Sequence, residues 1–252
     1  GESPPAKAVM RAVAESEAAG VKVQTMPSAY EALTHRAPLR SADGEWIASL
    51  ETARCTKYAT RLKRIVEVVV SLLLLPFVAV VVALAALAVK LTSRGPAFYT
   101  QKRVGADGKE FTFVKLRTMI QDAEKDTGPV WATPNDPRIT PLGKTLRRLR
   151  LDELPQLWSV LKGEMSLVGP RPERPHFVEQ FREEIPLYEK RFLVRPGITG
   201  WAQVNHAYDT CRDDVIEKLR YDLYYVRHMN FSLDLQIMVR TLGVMLANKG
   251  GY

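Results

Sequence analysis

One stretch stands apart in the alternation of apolar and polar positions. Val68–Val89, VVVSLLLLPFVAVVVALAALAV, holds 22 residues without a charge. At 1.5 Å rise per residue a helix of that length reaches ~33 Å, enough for a bilayer core of ~30 Å. Buried core helices rarely run so long without a charge, so the pattern predicts a membrane segment. Arg54, Lys57, Arg61, Lys63 and Arg64 precede it, and Lys90, Arg94, Lys102, Arg103 and Lys109 follow it. With five basic residues on each side, the bias of Lys and Arg toward the cytoplasm gives no orientation for a span. Pro76, near the middle, removes a backbone hydrogen bond and clashes with the preceding turn, which predicts a kink. Ser71 is placed to satisfy part of what is freed. A kinked helix that enters and leaves by one face keeps both basic clusters on the same side. A re-entrant membrane helix over residues 61–95 is therefore the expectation.

The flanking periods suit an α+β protein. Residues 5–19 are Ala-rich with helical spacing and Gly20 as a stop, and VKVQTM (21–26) alternates like a strand. One helix and one strand bury no core, so residues 1–60 are expected to be a partial αβ segment followed by a polar linker (36–60). AFYTQKRV (97–104) and EFTFVKLRTM (110–119) alternate about GADGK and predict a β-hairpin. The proline-rich TGPVWATPNDPRITPLG (127–143) predicts a loop. Helix is expected from Lys144 up to Asp152, and again through ELPQLWSVLKG to Gly163. SLVGPRPE (166–173) and VRPGITGWAQVN (194–205) read as rigid turns. FSLDLQIMVRTLGVMLANK suits a membrane surface or a core. The predicted fold class is α+β, mostly helical: a monotopic membrane protein with a kinked re-entrant helix, a small β-hairpin, surface amphipathic helices and a catalytic unit over residues 96–252.

Charge changes the picture next. The net charge of +8 and pI near 9.5 point to an anionic partner such as nucleic acid, phospholipid headgroups or a phosphorylated substrate. The basic residues are interrupted by acids and no RRM, KH or helix-turn-helix signature is present, which argues against nucleic acid. Cys55 and Cys211 form no CxxC pair, and His35, His176, His206 and His228 have no ligand spacing with them. Zinc is not expected, and a reducing compartment is the simpler reading. No signal peptide is visible after Gly1.

The candidate chemistry follows the membrane segment. Arg138, Lys144, Arg147, Arg148 and Arg150 precede two adjacent acids, Asp152 and Glu153. Beside a membrane such a basic run meets lipid phosphates, although a solvated face explains any one arginine as well. Lys115 and Arg117 share a face of the second hairpin strand. Arg171 stands between Pro170 and Pro172, and Arg195 precedes Pro196-Gly197, so both guanidiniums are pre-placed as phosphate clamps. The plainer alternative for Arg171 is a structural pair with Glu173. Acids in a first helical turn also have a plain explanation in the helix dipole. Surrounded by cations, however, Asp152 could hold Mg²⁺ or attack phosphorus, and such a site suits phosphoryl transfer.

KLRTM, DPRITPLGKTLRRLRLDELPQLWSVLKGEMSLVGPRPE and VRPGITGWAQVN resemble the bacterial sugar transferase family, the monotopic polyprenyl-phosphate phosphoglycosyl transferases that begin exopolysaccharide or O-antigen assembly. The resemblance runs from about Leu62 onward, and residues 6–60 resemble the end of the extra N-terminal domain of larger members. It implies an enzyme of the cytoplasmic face of the bacterial inner membrane, acting on a nucleoside diphosphate sugar and polyprenyl phosphate. Asp152 would be the nucleophile and a metal ligand, Glu153 its assistant, and Mg²⁺ the cofactor. Lys115, Arg117, Arg147, Arg171 and Arg195 would bind phosphate, and Pro76 would break the membrane helix. Inner-leaflet anionic lipid is an expected partner, with a homo-oligomer as a further candidate. The chain departs from the family at Leu75, often Ser, and at His206-Ala207, commonly Gly-Arg after VN. A non-catalytic basic scaffold is the competing reading, and the intact Asp152-Glu153 pair speaks against it.

Overall fold

The computed structural model describes residues 6–21, 23–54, 61–125, 128, 130, 136–206 and 211–246. In chain order its elements are α1 (Ala6–Ala18), α2 (Met26–Thr34), α3 (Gly44–Arg54), α4 (Lys63–Thr92), β1 (Phe98–Val104), β2 (Glu110–Leu116), α5 (Pro141–Arg148), α6 (Leu157–Lys162), β3 (Ser166–Val168), α7 (Pro175–Glu184), β4 (Gly197–Thr199), α8 (Trp201–Asn205), α9 (Arg212–His228) and α10 (Phe231–Leu246). The mostly helical α+β class is as expected.

The N-terminal region departs from the sequence pattern twice. α1 ends before Gly20, whose φ is +77°, but no strand forms at the described positions of VKVQTM. A strand needs a hydrogen-bonded neighbour; here Thr25 instead caps α2, its Oγ1 accepting from Ser28 N–H at 3.4 Å with Pro27 in the first turn. The stretch read as linker holds α3, started by Asp43 Oδ1 accepting from Trp46 N–H at 2.7 Å. Ala37, Trp46 and Leu50 are fully or nearly fully buried in the main core with Leu219, Leu223 and Val226 of α9. In α3 itself Trp46 and Leu50, one turn apart, are buried and Ile47 is partly buried on the same core, too few positions to make a period visible in sequence.

Helix α4 runs unbroken for 30 residues, through Pro76, and is long and apolar enough to cross a membrane. Its middle faces away from the protein: Leu73 is 68% and Phe77 73% exposed. Both ends are attached to the protein body. Near the start, Lys63, Glu67 and Ser71 recur every fourth position on one buried face. Arg64 donates to Leu161 O at 2.7 Å and to Val160 O, the carbonyls at the end of α6. Near the finish, Val89 packs with Ala97 and Leu146. Ser71 does not satisfy a carbonyl: among the described residues its buried hydroxyl has no hydrogen-bond partner.

The hairpin forms as read, with β1 and β2 antiparallel and Phe98 opposite Leu116. Its buried residues Phe111 and Phe113 pack on Val160 and Met165. Part of the proline-rich stretch lies outside the described residues, as does Cys55; its end is not loop but the start of α5, capped by Thr140 Oγ1 with Pro141 in the first turn. The two stretches read as turns contain strands, β3 and β4, that pair in parallel. Parallel pairing needs a crossover, and α7 with the 3₁₀ turn Tyr188–Leu193 supplies it. The contact is close, since a Cβ on Gly197 would lie 2.1 Å from Gly169 N.

The C-terminal stretch forms α10, which meets the core expectation on one face. Leu233 and Ile237 join the core, while Phe231, Leu235, Val239 and Leu242 are exposed.

Candidate active site

The basic run does not reach the acids as one helix. α5 stops at Arg148, Arg150 takes the left-handed region with φ +56°, and a 3₁₀ turn, Leu151–Gln156, begins. Leu149 is exposed and Pro155 blocks the regular α-helical ladder, so the chain turns inward rather than continuing. Asp152 and Glu153 fall in the first positions of that turn and are 5% and 8% exposed.

The two carboxylates are treated differently. Glu153 Oε1 accepts from Arg171 Nη2 at 2.7 Å, and Glu153 Oε2 lies 3.7 Å from Arg150 Nη1. Among the described residues, no hydrogen bond or ion pair occupies the Asp152 carboxylate. Burial pushes both carboxyls up. At Glu153 the charges of Arg171 and Arg150, with the Arg171 hydrogen bond, outweigh burial and hold it below the usual range. At Asp152 burial and then the neighbouring Glu153 charge win, and Lys115, Arg147 and Arg171 recover only part. One carboxyl is thus fixed as a paired anion, and the other is a raised, uncommitted group beside three cations.

Lys115 comes from β2, directly across from Tyr99, with its Nζ 5.3 Å from that ring. Burial, then the charge of Arg147, lowers it to about 8. Arg147 donates Nε to Thr118 Oγ1 at 2.8 Å, which leaves its terminal nitrogens uncommitted to that bond.

Arg171 is held by backbone as well as side chain. Gly169 N–H donates to Thr199 O at 2.8 Å and Pro170 O accepts from Gly197 N–H at 2.9 Å. Arg191 Nη2 donates to Arg171 O at 2.8 Å, and Arg103 Nη1 donates to Pro172 O at 3.0 Å. Glu173 does not pair with Arg171. Its carboxylate takes Lys218 at 3.1 Å and Arg103 at 3.4 Å. Burial raises Glu173, but Lys218, Arg103 and Arg191 together bring it down to about 2. Arg103, read only as part of the basic flank, and Lys218 and Arg191 were not among the expected site residues; each lies far along the chain from the loop it holds.

Two expected phosphate ligands stand elsewhere. β2 ends at Leu116, and Arg117 turns to the end of α4, donating Nη2 to Ser93 O at 3.0 Å and Ser93 Oγ at 2.7 Å. Carbonyls at a helix C-terminus lack partners and attract cations, which explains that preference. Arg195 is exposed and donates Nε to Gly163 O at 2.9 Å, just past α6; no hydrogen bond ties it to the acids.

As for a metal, no group of three or more His, Cys, Asp or Glu gathers among the described residues. Mg²⁺ is commonly held by one or two carboxylates together with substrate phosphates. The open Asp152 carboxylate fits that use, and a resident all-protein cage does not.

Comparison with known proteins matches residues 58–248 to the family described as Bacterial sugar transferase. The chain belongs to that family. Among relatives, the Aeromonas hydrophila UDP-N-acetylgalactosamine-undecaprenyl-phosphate N-acetylgalactosaminephosphotransferase is 42% identical over 189 residues, 75% of this chain and 44% of that protein. The Escherichia coli (strain K12) UDP-glucose:undecaprenyl-phosphate glucose-1-phosphate transferase is 43% identical over 195 residues, 76% of this chain and 41% of its own length. A Caulobacter vibrioides protein of the same name is 39% identical over 196 residues, 75% of this chain and 72% of that protein. This bacterial sugar transferase therefore spans less than half the length of the first two relatives.

Proposed function

We propose that this bacterial sugar transferase moves a sugar phosphate from a nucleoside diphosphate sugar, a UDP-sugar by its relatives' names, to polyprenyl phosphate. The observation that carries the reading is the open Asp152 carboxylate beside the paired Glu153, under Lys115, Arg147 and Arg171. Asp152 attacks the β-phosphorus; the bond from that phosphorus to the bridging oxygen breaks, and nucleoside monophosphate leaves with the electron pair. An oxygen of polyprenyl phosphate then attacks the same phosphorus, expels the Asp152 carboxylate, and yields polyprenyl-diphosphate sugar.

The chain's residues supply position and charge. Lys115, Arg147 and Arg171 surround the attacking carboxylate, so charge that spreads over the phosphate oxygens in the transition state meets fixed cations. Glu153 holds the Arg171 fork in place. When bound, Mg²⁺ supplies further neutralisation of the diphosphate, with Asp152 as its protein ligand.

The membrane arrangement supports the same reading. Lys63 and Ser93, at the two ends of the 30-residue helix, both bond to the rest of the protein. That attachment favours a re-entrant helix on the cytoplasmic face of the inner membrane, with Pro76 as its bend and anionic lipid beside the basic flanks. It also delivers a lipid-linked phosphate to the level of Asp152.

The test uses purified protein in detergent with a panel of UDP-sugars and no acceptor. Release of about one nucleoside monophosphate per site, with the phosphosugar mass on Asp152 by peptide mapping, is expected of a covalent route. Release only when acceptor is present, or a mass on another residue, overturns the aspartyl intermediate.

A further inference from the structure

Strand β3 leads directly into the loop that carries Arg171, and its two edges are held by different means. One edge meets β4: Ser166 N–H donates to Pro196 O at 2.8 Å, ahead of the Gly169–Thr199 bond. On the other edge, side chains of α4 stand where a strand would. Glu67 accepts from Leu167 N–H at 3.0 Å and from Ser166 Oγ. Lys63 Nζ donates to Val168 O at 2.9 Å. Three consecutive residues of β3 are thus gripped by one turn of the membrane helix.

The grip is fully buried. Lys63, Glu67, Tyr225 and Asp234 are 7%, 4%, 1% and 5% exposed. The three protons of Lys63 are all used, on Val168 O, Tyr225 Oη at 2.7 Å and Asp234 Oδ2 at 2.6 Å. Glu67 Oε1 lies 3.6 Å from Lys63 Nζ. Buried ion pairs are a weak source of stability, since apolar residues of like size serve as well or better. They do specify geometry: a shift of α4 along its axis by one residue would strand Lys63 and Glu67 without partners, while Asp234 keeps the Tyr225 hydroxyl at 2.7 Å. From Val168 to Arg171 the chain is short, and both intervening residues are pinned to β4. Because β4 also pairs with β3, strands β3 and β4 and the Arg171 loop form one hydrogen-bonded unit, and a displacement at Val168 moves that unit.

We propose that the Lys63–Glu67 pair is a positioning clasp that registers the membrane helix to the Arg171 loop. The membrane sets the depth of α4, α4 sets β3, and β3 sets the guanidinium that holds Glu153 beside Asp152. The clasp touches no substrate. Its activity arm rests on the phosphoglycosyl transfer reading, whereas its structural arm does not.

The test compares the whole chain in lipid nanodiscs with two variants, Glu67→Leu and Glu67→Gln, and with the double variant Lys63→Met/Asp234→Leu, which removes two buried charges together. Amide hydrogen exchange is followed peptide by peptide, beside turnover with UDP-sugar and polyprenyl phosphate. In Glu67→Leu, exchange across residues 164–174 is expected to rise ~10-fold, as for loss of a buried hydrogen bond, while the exchange of α9 stays at the wild-type rate. Its kcat should fall by a similar factor with little change in KM. Glu67→Gln keeps an acceptor oxygen and should keep slow exchange and most turnover. The double variant should behave like Glu67→Leu. Unchanged exchange at 164–174 in both Glu67→Leu and the double variant, exchange raised evenly through the chain, or normal kcat despite local opening each overturns the clasp. Should wild-type protein transfer no sugar phosphate at all, the functional reading fails and the exchange pattern still decides whether the clasp exists.

Discussion

Arg171 Nη2 lies 2.7 Å from Glu153 Oε1, so the arginine held between two prolines grips the second acid of the pair and leaves the first one open. That single bond separates the two carboxyls chemically. It keeps Glu153 ionised by direct pairing, and it leaves Asp152 to be shaped by burial and by its neighbours.

Asp152→Asn should abolish turnover without harming the fold. The raised position of Asp152 means that its ionised form is disfavoured in the folded state relative to the unfolded chain. At neutral pH the neutral amide relieves that penalty, so thermal unfolding should occur at the wild-type midpoint or above it. A lowered midpoint in calorimetry would contradict the electrostatic account.

Glu153→Gln should act in the opposite sense. Glu153 is held below its ordinary value, so its ionised form stabilises the fold above the unfolded carboxyl range, and that contribution is lost on acidification. The amide leaves Arg171 without its anion. A lower midpoint at pH 7 that converges with the wild type as pH falls is the expected pattern in a melting series.

The dependence of kcat/KM on pH should be bell-shaped. The acid limb follows ionisation of Asp152, above the ordinary aspartate range. The alkaline limb follows loss of the Lys115 proton, expected at about 8 in the free protein. Lys115→Arg should move the alkaline limb to higher pH, because guanidinium stays charged. An unmoved limb in that variant assigns the limb to another group.

Arg171→Lys keeps one charge and loses the planar fork. Because the Arg171 carbonyl is held by Arg191 and its neighbours by β4, the loop should stay in place. A fall in kcat of about 100-fold, ~2.7 kcal/mol of transition-state stabilisation, with a near-native circular dichroism spectrum is expected.

Arg117→Leu separates a clamp on the membrane helix from a phosphate ligand. Its donors serve Ser93 at the end of α4. Removing a buried charged donor should cost about 1–3 kcal/mol of stability, while the UDP-sugar dissociation constant measured by calorimetry should be unchanged. Weaker nucleotide binding would return Arg117 to the site.

Topology is open to a direct check. Arg61→Cys and Arg94→Cys, both at exposed positions, in a background with Cys55 and Cys211 replaced by Ser, should be labelled from the same side of the membrane. Gly95 is a poor position, since a Cβ there would stand 2.2 Å from Arg117 Nη1. Labelling from opposite sides would rule out the re-entrant arrangement.

Local chemistry decided what was legible in the chain alone. An apolar run of bilayer length, a Gly-Ala-Asp-Gly turn between alternating strands, and a glycine closing α6 each act through residues adjacent in sequence, so α4, the hairpin and the end of α6 were readable directly. So were the acids and most of their cations, because Asp152, Glu153, Lys115, Arg147 and Arg171 carry their chemistry in their residue type. Which of them meet was decided by tertiary structure. Arg171 had Glu173 two residues away and pairs with Glu153, since Lys218 and Arg103 claim Glu173 from elsewhere. Arg117 shares a strand face with Lys115 on paper and goes to Ser93, because the strand stops one residue earlier and a helix end lies beside it. The parallel pairing of β3 with β4 and the burial of Trp46 and Leu50 depend likewise on distant partners. A hydrogen bond or a buried contact is a property of two segments, and their separate sequences do not state which other segment will arrive first at bonding distance.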